Sequence, residues 1–331
     1  MNLQTNHRDW QGIPYFPINQ YYRSEFGEKV YKIPVSIAET CPNREGLKGM
    51  KTCVFCDEWG SAAYPERREM DLVQQIKVNR ELIRKKNKAH KFLVYFQAYT
   101  NTFTKVSRLR EQFEVACSFM DVVGITVGTR PDCVSDSVFQ LWNEFSERVS
   151  IFVELGVQSF NNEQLVWMER GHSGEKSLWA VEKIREKCPN VNLGVHLMFG
   201  LPGETDEQVK NSALLCSQLP IDNVKLHNTH VLVDTPLAEM YHRGEFQPIS
   251  REKYADRVSI FLEHLRPDIS VHRLAAVASR HDELVAPDWA AKRMENYQFI
   301  LDRMRDRQGY QGKSYSAELA KGVSLADLQN L

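Results

Sequence analysis

The chain has 331 residues, of which 42% are hydrophobic and 26% charged, and its formal net charge is −1. This length can bury a substantial core, and the composition is typical of a soluble globular protein rather than of a strongly basic nucleic-acid binder. No stretch approaches the roughly 18 consecutive apolar residues of a membrane-spanning helix, and the N-terminal residues MNLQTNHRDW lack the features of a signal peptide. We therefore expect a cytoplasmic protein with no membrane partner.

Apolar runs rich in β-branched residues alternate along the chain with longer segments of helical period. This alternation predicts βα units whose strands form a parallel sheet. The six predicted strands are 33–39, 91–98, 122–128, 150–158, 192–200 and 223–232. The main predicted helices are 71–87, 104–120, 173–187 and 205–219. Six units are too few for a closed eight-stranded barrel, so we predict an α/β fold, an open, partial (β/α)6 TIM-like barrel.

The two ends of the chain depart from this pattern. We predict an N-terminal cap over 1–30, the barrel core over 31–265 and a C-terminal helical extension over 266–331. The cap is rich in aromatic residues such as Trp10, Tyr21 and Tyr22, which either cover the barrel or stack on bases. The extension shows no further βα unit and no second CxxC pair, and we predict one helix from about 288 to 307 that packs on the barrel.

Three cysteines, Cys41, Cys53 and Cys56, lie close together in the segment CPNREGLKGMKTCVFC, with no fourth candidate ligand nearby. A CxxC pair alone serves zinc, a redox dithiol or an iron–sulfur cluster. Structural zinc normally takes four protein ligands, and a dithiol would leave Cys41 without a role. A [4Fe–4S] cluster held by three thiolates fits best, because it leaves one iron free to bind another molecule. The other four cysteines are scattered, as expected for small core residues in a reducing compartment.

Polar motifs follow the predicted strands at the point where each strand ends. In barrels of this kind the active site lies at the carboxyl ends of the strands. Cys41 follows the first predicted strand by two residues, and the positions at or after the other strand ends include Gln97, Asn101, 129–132, Gln158, 200–204, His227 and His230. This regularity predicts that these residues gather in one site.

Seven motifs occur in order along the chain: CPNREGLKG, QAYTNT, GTRPD, VELGVQSF, RGH, HLMFGLPGET and KLHN. Together with Phe55 in the cysteine loop, they resemble the radical S-adenosylmethionine (SAM) superfamily, and within it the branch of bacterial proteins related to the elongator catalytic subunit. The resemblance covers about residues 31–292. The commonest cysteine spacing of the superfamily is CxxxCxxC, whereas eleven residues separate Cys41 from Cys53 here, a longer loop that is usual in this branch.

The resemblance implies a radical SAM enzyme with two cofactors, a [4Fe–4S] cluster and SAM. The open iron would bind the amino and carboxylate groups of the methionine part of SAM. One-electron reduction would then break the S–C5′ bond, giving methionine and a 5′-deoxyadenosyl radical that takes hydrogen from a substrate. A reduced flavodoxin or ferredoxin-type protein would be the electron donor.

The resemblance also implies which residues of two motifs bind SAM. Phe55, immediately before Cys56, would present its backbone and ring edge to the adenine, and the alternative is that its ring anchors the loop in the core. QAYTNT stands where other members carry a Gly-Gly-Glu motif that grips the methionine. Gln97 and Asn101 could replace that motif with amide groups, although the acidic side chain is missing.

Two later motifs supply the other residues that would bind SAM. Gln158 of VELGVQSF would contact the ribose hydroxyls, and Glu154 lies on the same side of the predicted strand. Arg170 of the RGH motif would pair with the SAM carboxylate. The alternative for Glu154 and Arg170 is an ordinary barrel ion pair. His196 would face the ribose, and the alternative is a core histidine in an apolar strand.

The segment GLPGET, residues 200–205, precedes a predicted helix, and glycine turns of this kind can bind phosphate. It lacks the Lys-Ser/Thr pair that a phosphate-binding P-loop requires. The resemblance instead implies that the turn brings its backbone close to the adenine, with Glu204 or Thr205 at the start of the helix.

Six further polar residues would point into the barrel mouth: Arg130, Asp132, His172, Lys225, His227 and His230. A lining of cations and imidazoles suits an anionic or carboxylate-bearing substrate. The alternative is that these residues are solvated loop ends and buried structural pairs. The C-terminal extension adds candidates for an outer layer of the site: His272, Arg273, Trp289 and Lys292.

GTRPD looks like the elongator-type motif, which implies modification of a transfer RNA (tRNA) wobble uridine as one activity. An open barrel would leave a side cleft for an extruded nucleotide. The densest basic run, IRKKNKAHK at 83–91, ends a predicted helix, where cations are favoured by the helix dipole. We interpret it as a solvated helix end rather than an RNA-binding surface. Two other functions stay open: the same radical chemistry on a small metabolite or peptide, and a non-catalytic protein that uses the cluster structurally or for electron transfer.

Overall fold

The computed structural model describes residues 10–60, 62–278 and 280–329. The described residues form nine strands: β1 (Val30–Val35), β2 (Lys91–Phe96), β3 (Val122–Thr129), β4 (Ser150–Gln158), β5 (Asn192–Phe199), β6 (Asn223–Asn228), β7 (Val231–Leu232), β8 (Ser270–Val271) and β9 (Leu284–Ala286). Seven of them form one parallel sheet in the order β1-β2-β3-β4-β5-β6-β8. The two remaining strands, β7 and β9, form a separate antiparallel pair.

Helices connect the strands and cover the outer face of the sheet. In the described residues they are α1 (Ile18–Phe26), α2 (Leu72–Asn87), α3 (Val106–Cys117), α4 (Asp136–Ser146), α5 (Asn162–Trp167), α6 (Gly174–Lys187), α7 (Asp206–Gln218), α8 (Pro236–His242), α9 (Arg251–His264), α10 (Arg293–Asp306) and α11 (Ala317–Lys321). Side-chain caps fix several starts, as at Asp71 before α2 and Thr205 before α7. None of these helices is long and apolar enough to cross a membrane.

The parallel sheet is strongly curled. Neighbouring strands lie about 4.8 Å apart, so a flat sheet would hold β1 and β4, three strands along, about 14 Å from each other. Lys32 on β1 nevertheless forms an ion pair with Glu154 on β4. The curl produces a half-barrel whose concave inner face carries these two side chains. The predicted fold class, an α/β partial TIM-like barrel, is confirmed.

Helix α1 covers the amino-terminal end of the half-barrel. Its buried residues Ile18 and Tyr22 pack on Leu93 and Phe152, which extend from the inner face of β2 and β4. The rings of Tyr22 and Phe152 meet edge to face with centroids 5.6 Å apart. Because Tyr22 is only 3% exposed, it serves as a core residue and is not available to stack on a base.

Two predicted strands run four residues too far at their carboxyl ends, and strand pairing explains both. β1 ends at Val35 rather than at residue 39, because its partner β2 ends opposite it at Phe96. The predicted strand 223–232 is divided, since β5 ends at Phe199 opposite Asn228 and the chain beyond leaves the parallel sheet.

The C-terminal extension contains a strand that the sequence pattern did not predict. β8 follows α9 and pairs in parallel with Asn223 and Val224 of β6, so the prediction that no βα unit follows residue 266 is wrong. Two residues are too few to show a periodic pattern. The predicted helix from 288 to 307 is also interrupted at Lys292, whose φ of −103° and ψ of 72° separate a short 3₁₀ turn from α10.

Candidate functional site

The cysteine loop joins β1 to α2 and is tied to segments that follow more distant strands. The Val54 amide donates to Met168 O at 3.2 Å, and the Leu237 amide donates to Val54 O at 2.9 Å. Asn43 Nδ2 donates to Glu169 O at 2.5 Å. Because Met168 and Glu169 follow β4, and Leu237 follows β6, these bonds hold the loop across the carboxyl-terminal mouth of the half-barrel.

Two guanidinium groups reach the cysteine sulfurs. Arg170 Nη1 lies 3.4 Å from Cys53 Sγ, and Arg44 Nη2 lies 3.7 Å from Cys56 Sγ. Cys41 and Cys53 are buried, and Cys56 is partly buried. The Arg44 guanidinium acts to lower the pKa of the Cys56 thiol, and the thiolate is the form that binds metal.

The three cysteines lie on one loop, and three thiolates are the protein ligands of a [4Fe–4S] cluster that keeps one iron open. Among the described residues, no three His, Cys, Asp or Glu side chains are gathered closely enough to be ligands of one ion. Burial raises the pKa of the Cys56 thiol to about 12. A bound metal ion, which takes the thiolate form, would lower this pKa.

Glycine at position 156 lets two predicted SAM-binding side chains approach β4. Arg170 Nη2 donates to Gly156 O at 2.7 Å. A Cβ at position 156 would lie 3.3 Å from this Nη2 and 2.9 Å from Gln158 Nε2. Gln158 has a φ of 69°, in the left-handed region that non-glycine residues seldom adopt. The structure thus brings Arg170 and Gln158 together beside Cys53.

Arg130 and Asp132 form a buried pair beneath the cysteine loop. Arg130 Nε and Nη2 each donate to a carboxylate oxygen of Asp132 at 2.9 Å, and Nη2 also donates to Arg170 O at 2.7 Å. Arg130 Nη1 donates to Asn43 Oδ1. Burial raises the pKa of Asp132, but its hydrogen bonds from Arg130 outweigh this and lower it overall. These contacts support the alternative interpretation, a structural pair, over a substrate contact.

We expect Arg130→Lys to lower the free energy of unfolding by about 1.5–3 kcal/mol, the range for a hydrogen bond to a charged group. Lysine keeps the positive charge but loses the planar fork that reaches Asp132, Asn43 and Arg170 together. Urea unfolding followed by circular dichroism measures the change. Arg110→Lys, at an exposed ion pair with Glu144, is the matched control and should leave the midpoint unchanged. Equal midpoints for Arg130→Lys and wild type would contradict the structural role.

The QAYTNT motif lies where β2 and β3 end. Asn101 Nδ2 donates to the carbonyl oxygens of Phe96 at 2.9 Å and Gly128 at 3.0 Å, and so holds the two strand ends together. Asn101 Oδ1 is buried and has no hydrogen-bond partner among the described residues. Gln97 is half-buried directly after β2. Asn101 can therefore accept a hydrogen bond from a ligand but has no free N–H to donate.

A buried polar cluster around Glu154 lies on the inner face. Glu154 Oε2 accepts hydrogen bonds from Tyr95 Oη at 2.8 Å and Lys225 Nζ at 2.9 Å, and it lies 2.7 Å from His196 Nε2. Its Oε1 pairs with Lys32. Burial acts to raise the pKa of Glu154, but Lys225 and Lys32 hold it well below its ordinary value. Since protein donors surround this carboxylate, the structure favours the barrel ion pair over a contact with SAM, with lysines as the partners.

Histidines surround this cluster. The ring centroids of His196 and His227 are 5.3 Å apart, and Arg273 Nη2 lies 2.7 Å from His227 Nδ1. His272 Nδ1 lies 3.2 Å from Lys32 Nζ. Burial lowers the pKa of His196 to about 4 and the pKa of His227 and His272 well below 6.5. These three imidazoles are therefore neutral at pH 7.

Of the other two predicted histidines, His172 lies near Arg130 and Asp132, whereas His230 lies close enough to His227 and Arg273 for their charges to interact. His172 Nδ1 lies 3.4 Å from Ser173 O, and burial lowers the pKa of His172 to about 3. His230 lies between β6 and β7, where burial lowers its pKa to about 4. The predicted substrate residues thus fall into two groups. Lys225 and His227 line the inner face, whereas Arg130, Asp132 and His172 lie beneath the cysteine loop.

The turn before α7 is held by its own side chains. Glu204 Oε2 accepts from the Gly200 amide at 2.7 Å and pairs with Arg257, and Thr205 Oγ1 accepts from the Gln208 amide at 3.1 Å. The Gly200 amide is therefore already used and is not offered to a phosphate.

Phe55 packs against the apolar clusters that contain Val54 and Met198, so its ring does anchor the loop, and its contact with adenine stays a prediction.

Sequence reasoning missed three residues of the site: Lys32, Arg44 and Tyr95. Lys32 in VYKIPV and Tyr95 in KFLVYF are polar side chains within otherwise apolar strands, and that exception is a usable signal. Arg44 gives no comparable signal, because its contact with Cys56 depends on the path of the loop.

Comparison with known proteins gives matches along most of the chain. The model of the family described as the Radical SAM superfamily matches residues 35–216, and that of the Radical_SAM C-terminal domain matches residues 221–306. The protein YtqA of Bacillus subtilis (strain 168) is 32% identical over 301 residues, which cover 91% of this chain and 92% of YtqA.

Two archaeal proteins give more partial matches. A tRNA uridine(34) acetyltransferase of Methanocaldococcus infernus is 33% identical over 140 residues, which cover 41% of this chain and 25% of that protein. The solved structure of the archaeal Methanocaldococcus infernus Elp3 with N-terminus deletion (1-46) aligns with a TM-score of 0.63 at 20% identity. The alignment covers 85% of this chain and 64% of the Elp3 chain, and it shows a shared fold.

Proposed function

The chain belongs to the radical SAM superfamily, and we propose that Cys41, Cys53 and Cys56 hold its [4Fe–4S] cluster. It is a radical SAM enzyme, and its cofactors are this cluster and SAM. The observation that carries the proposal is the cysteine loop itself, which crosses the mouth with Arg170 Nη1 3.4 Å from Cys53 Sγ. When bound, the cluster would supply the electron for cleavage of SAM into methionine and a 5′-deoxyadenosyl radical, and a reduced flavodoxin or ferredoxin-type protein would be the donor.

The protein groups around Cys53 would bind and orient SAM. Arg170 would pair with the SAM carboxylate, for which its unpartnered Nε and its place beside the sulfur make it suitable. Asn101 Oδ1 would accept a hydrogen bond from the amino group. Gln158, next to Arg170 over Gly156, would contact the ribose.

Arg170→Gln is expected to weaken SAM binding by about 10-fold to 100-fold, the loss of one charge-assisted contact. The measurement is an anaerobic SAM titration of enzyme reconstituted with iron and sulfide. Arg110→Gln, at an exposed position, is the control and should bind as the wild type does. An unchanged dissociation constant in Arg170→Gln, at equal iron content, would remove this residue from the SAM site.

For the substrate we propose a nucleotide within tRNA, with a wobble uridine as the first candidate. The 140-residue match to a tRNA uridine(34) acetyltransferase supports this choice, as does the GTRPD motif. With a net charge of −1, the protein would bind RNA through a local basic surface and not through its overall charge.

The test is 5′-deoxyadenosine formation under reducing, anaerobic conditions, with and without bulk tRNA. Stimulation by tRNA that is lost at high salt is the expected result. Stimulation only by a low-molecular-mass fraction of a cell extract would overturn the tRNA proposal and indicate a small metabolite, while leaving the radical SAM chemistry in place.

A further inference from the structure

The inner face of the half-barrel carries more positive than negative charge. Its strongly basic side chains are Lys32, Lys225 and Arg273, and the one carboxylate that pairs with any of them in the described part of the chain is Glu154. Three basic side chains therefore share one carboxylate, so positive charge stays in excess even where Lys225, whose pKa burial lowers to about 7, is only partly protonated. Tyr95 adds no charge, because burial raises its pKa well above 10. The neighbouring imidazoles are neutral, as described above.

This surplus lies in a largely water-excluded place. The exposed fractions of the side chains are 17% for Lys32, 11% for Lys225 and 1% for Glu154. Burying a charge without a partner is costly, and a protein usually supplies a counter-charge. Burial lowers the pKa of Lys225 to about 7, with Glu154 acting in the opposite direction, so one carboxylate does not fully compensate this lysine.

Arg273 is the cation with the least compensation. It lies two residues after β8, and its Nη2 lies 2.7 Å and 2.9 Å from the two ring nitrogens of His227. Its buried Nε has no hydrogen-bond partner, and no acidic side chain lies within ion-pair distance of it among the described residues. A guanidinium with an unused donor is suited to donate a charge-assisted hydrogen bond to a carboxylate or phosphate oxygen.

We infer that the inner face binds an anionic group of the substrate, a carboxylate or a phosphate, between Arg273, Lys225 and Lys32. That the bound molecule is the enzyme's substrate rests on the proposed function. Lys225 lies three residues before the end of β6, below the loop that carries the cysteines. A molecule held here by its anion would extend toward the mouth and present a nearby C–H bond to the SAM site. Helix α1 covers the opposite end of the half-barrel.

The test measures anion binding without any turnover. Thermal unfolding of the reconstituted enzyme is followed under anaerobic conditions in inorganic phosphate and, separately, in acetate, each against sodium chloride of equal ionic strength. We expect a saturable rise of the midpoint with one or both anions, because a ligand that binds the folded state stabilises it. A rise with phosphate alone identifies a phosphate site, and a rise with acetate alone identifies a carboxylate site.

Variants assign the binding to the inner face. Arg273→Gln should weaken anion binding by about 10-fold or more. Arg243→Gln, at an exposed ion pair with Glu245, should bind as the wild type does. If Arg273→Gln does not fold, Lys225→Met replaces it and should show the same loss.

Two results would overturn the inference: a midpoint in both anions no higher than in sodium chloride, or equal anion binding in wild type and variant. The first would mean no anion site, and the second a site elsewhere on the protein. Because this readout needs no SAM cleavage, a failure to form 5′-deoxyadenosine would bear on the proposed function and not on the anion site.

Discussion

Cys53→Ser is expected to lower reductive SAM cleavage by more than about 100-fold, because even outer-shell changes at metal sites cost about 10-fold to 100-fold. Cys53 is the cysteine that Arg170 contacts, and its loss would leave two thiolates for a cluster that needs three. Serine preserves the size of the side chain, so the loop can keep its bonds to Met168 and Leu237. The measurements are iron and sulfide content, visible absorbance, and 5′-deoxyadenosine by mass spectrometry after anaerobic reduction.

Cys117→Ser is the matched control, since Cys117 is a partly buried cysteine at the end of α3. It should keep wild-type iron content and wild-type cleavage. Full cluster content and full cleavage in Cys53→Ser would refute the assignment of the ligands. A full cluster in the wild type that never cleaves SAM, even with tRNA or extract present, would favour a structural or electron-transfer role.

The repeating units of the fold were predictable from the sequence, because each has enough residues to show its period. The predicted helices 71–87 and 205–219 differ from α2 and α7 by one residue at each changed end. The strand β8 was not predictable, since a two-residue strand exists only through its pairing with β6. Strand ends were misplaced for the same reason: the partner, and not the local sequence, decides where pairing stops.

The candidate site was predictable to the level of the strand ends but not of the contacts. The rule that loops meet at the carboxyl ends of parallel strands brought the cysteine loop and Gln158 into one region, and the family resemblance added Arg170. The curl of the sheet determines which side chains on the inner face touch. It brings Lys32 on β1 to Glu154 on β4, three strands away, and no local sequence pattern predicts this contact.

The same reasoning explains why several polar residues have structural roles. Alternation along β4 predicted that Glu154 and Gln158 share one side of the strand, but inward-facing groups such as Glu154 on a curled sheet meet one another before they meet a ligand. Arg130 behaves in the same way at the loop after β3, where its donors are used by Asp132 and Asn43. A polar residue at a strand end is therefore a site candidate only after its protein partners are known.

Glu154→Gln is expected to destabilise the protein by about 3–5 kcal/mol at pH 7, the usual cost of removing one partner from a buried ion pair. The amide would leave Lys32 and Lys225 buried without a counter-charge. Chemical unfolding in wild type and variant measures the difference. Glu144→Gln, which breaks the exposed pair with Arg110, is the control and should leave the unfolding midpoint unchanged.

The dependence on pH separates this electrostatic cause from a simple packing defect. Burial holds the pKa of Lys225 at about 7 and lowers the pKa of Lys32 from 10.5, while Glu154 raises both. Without Glu154 both pKa values fall further, so folding of the variant removes protons from these lysines, and the free energy of this removal decreases as the pH rises toward the ordinary lysine pKa of 10.5. In the wild type, Glu154 lets the folded lysines keep their protons to a higher pH, so at low pH folding of the wild type is opposed less. The stability difference between wild type and Glu154→Gln should therefore be larger at pH 6 than at pH 9. A deficit that stays constant between pH 6 and pH 9 would mean that lost packing, and not unpaired charge, destabilises the variant, and it would weaken the case for a cationic inner face.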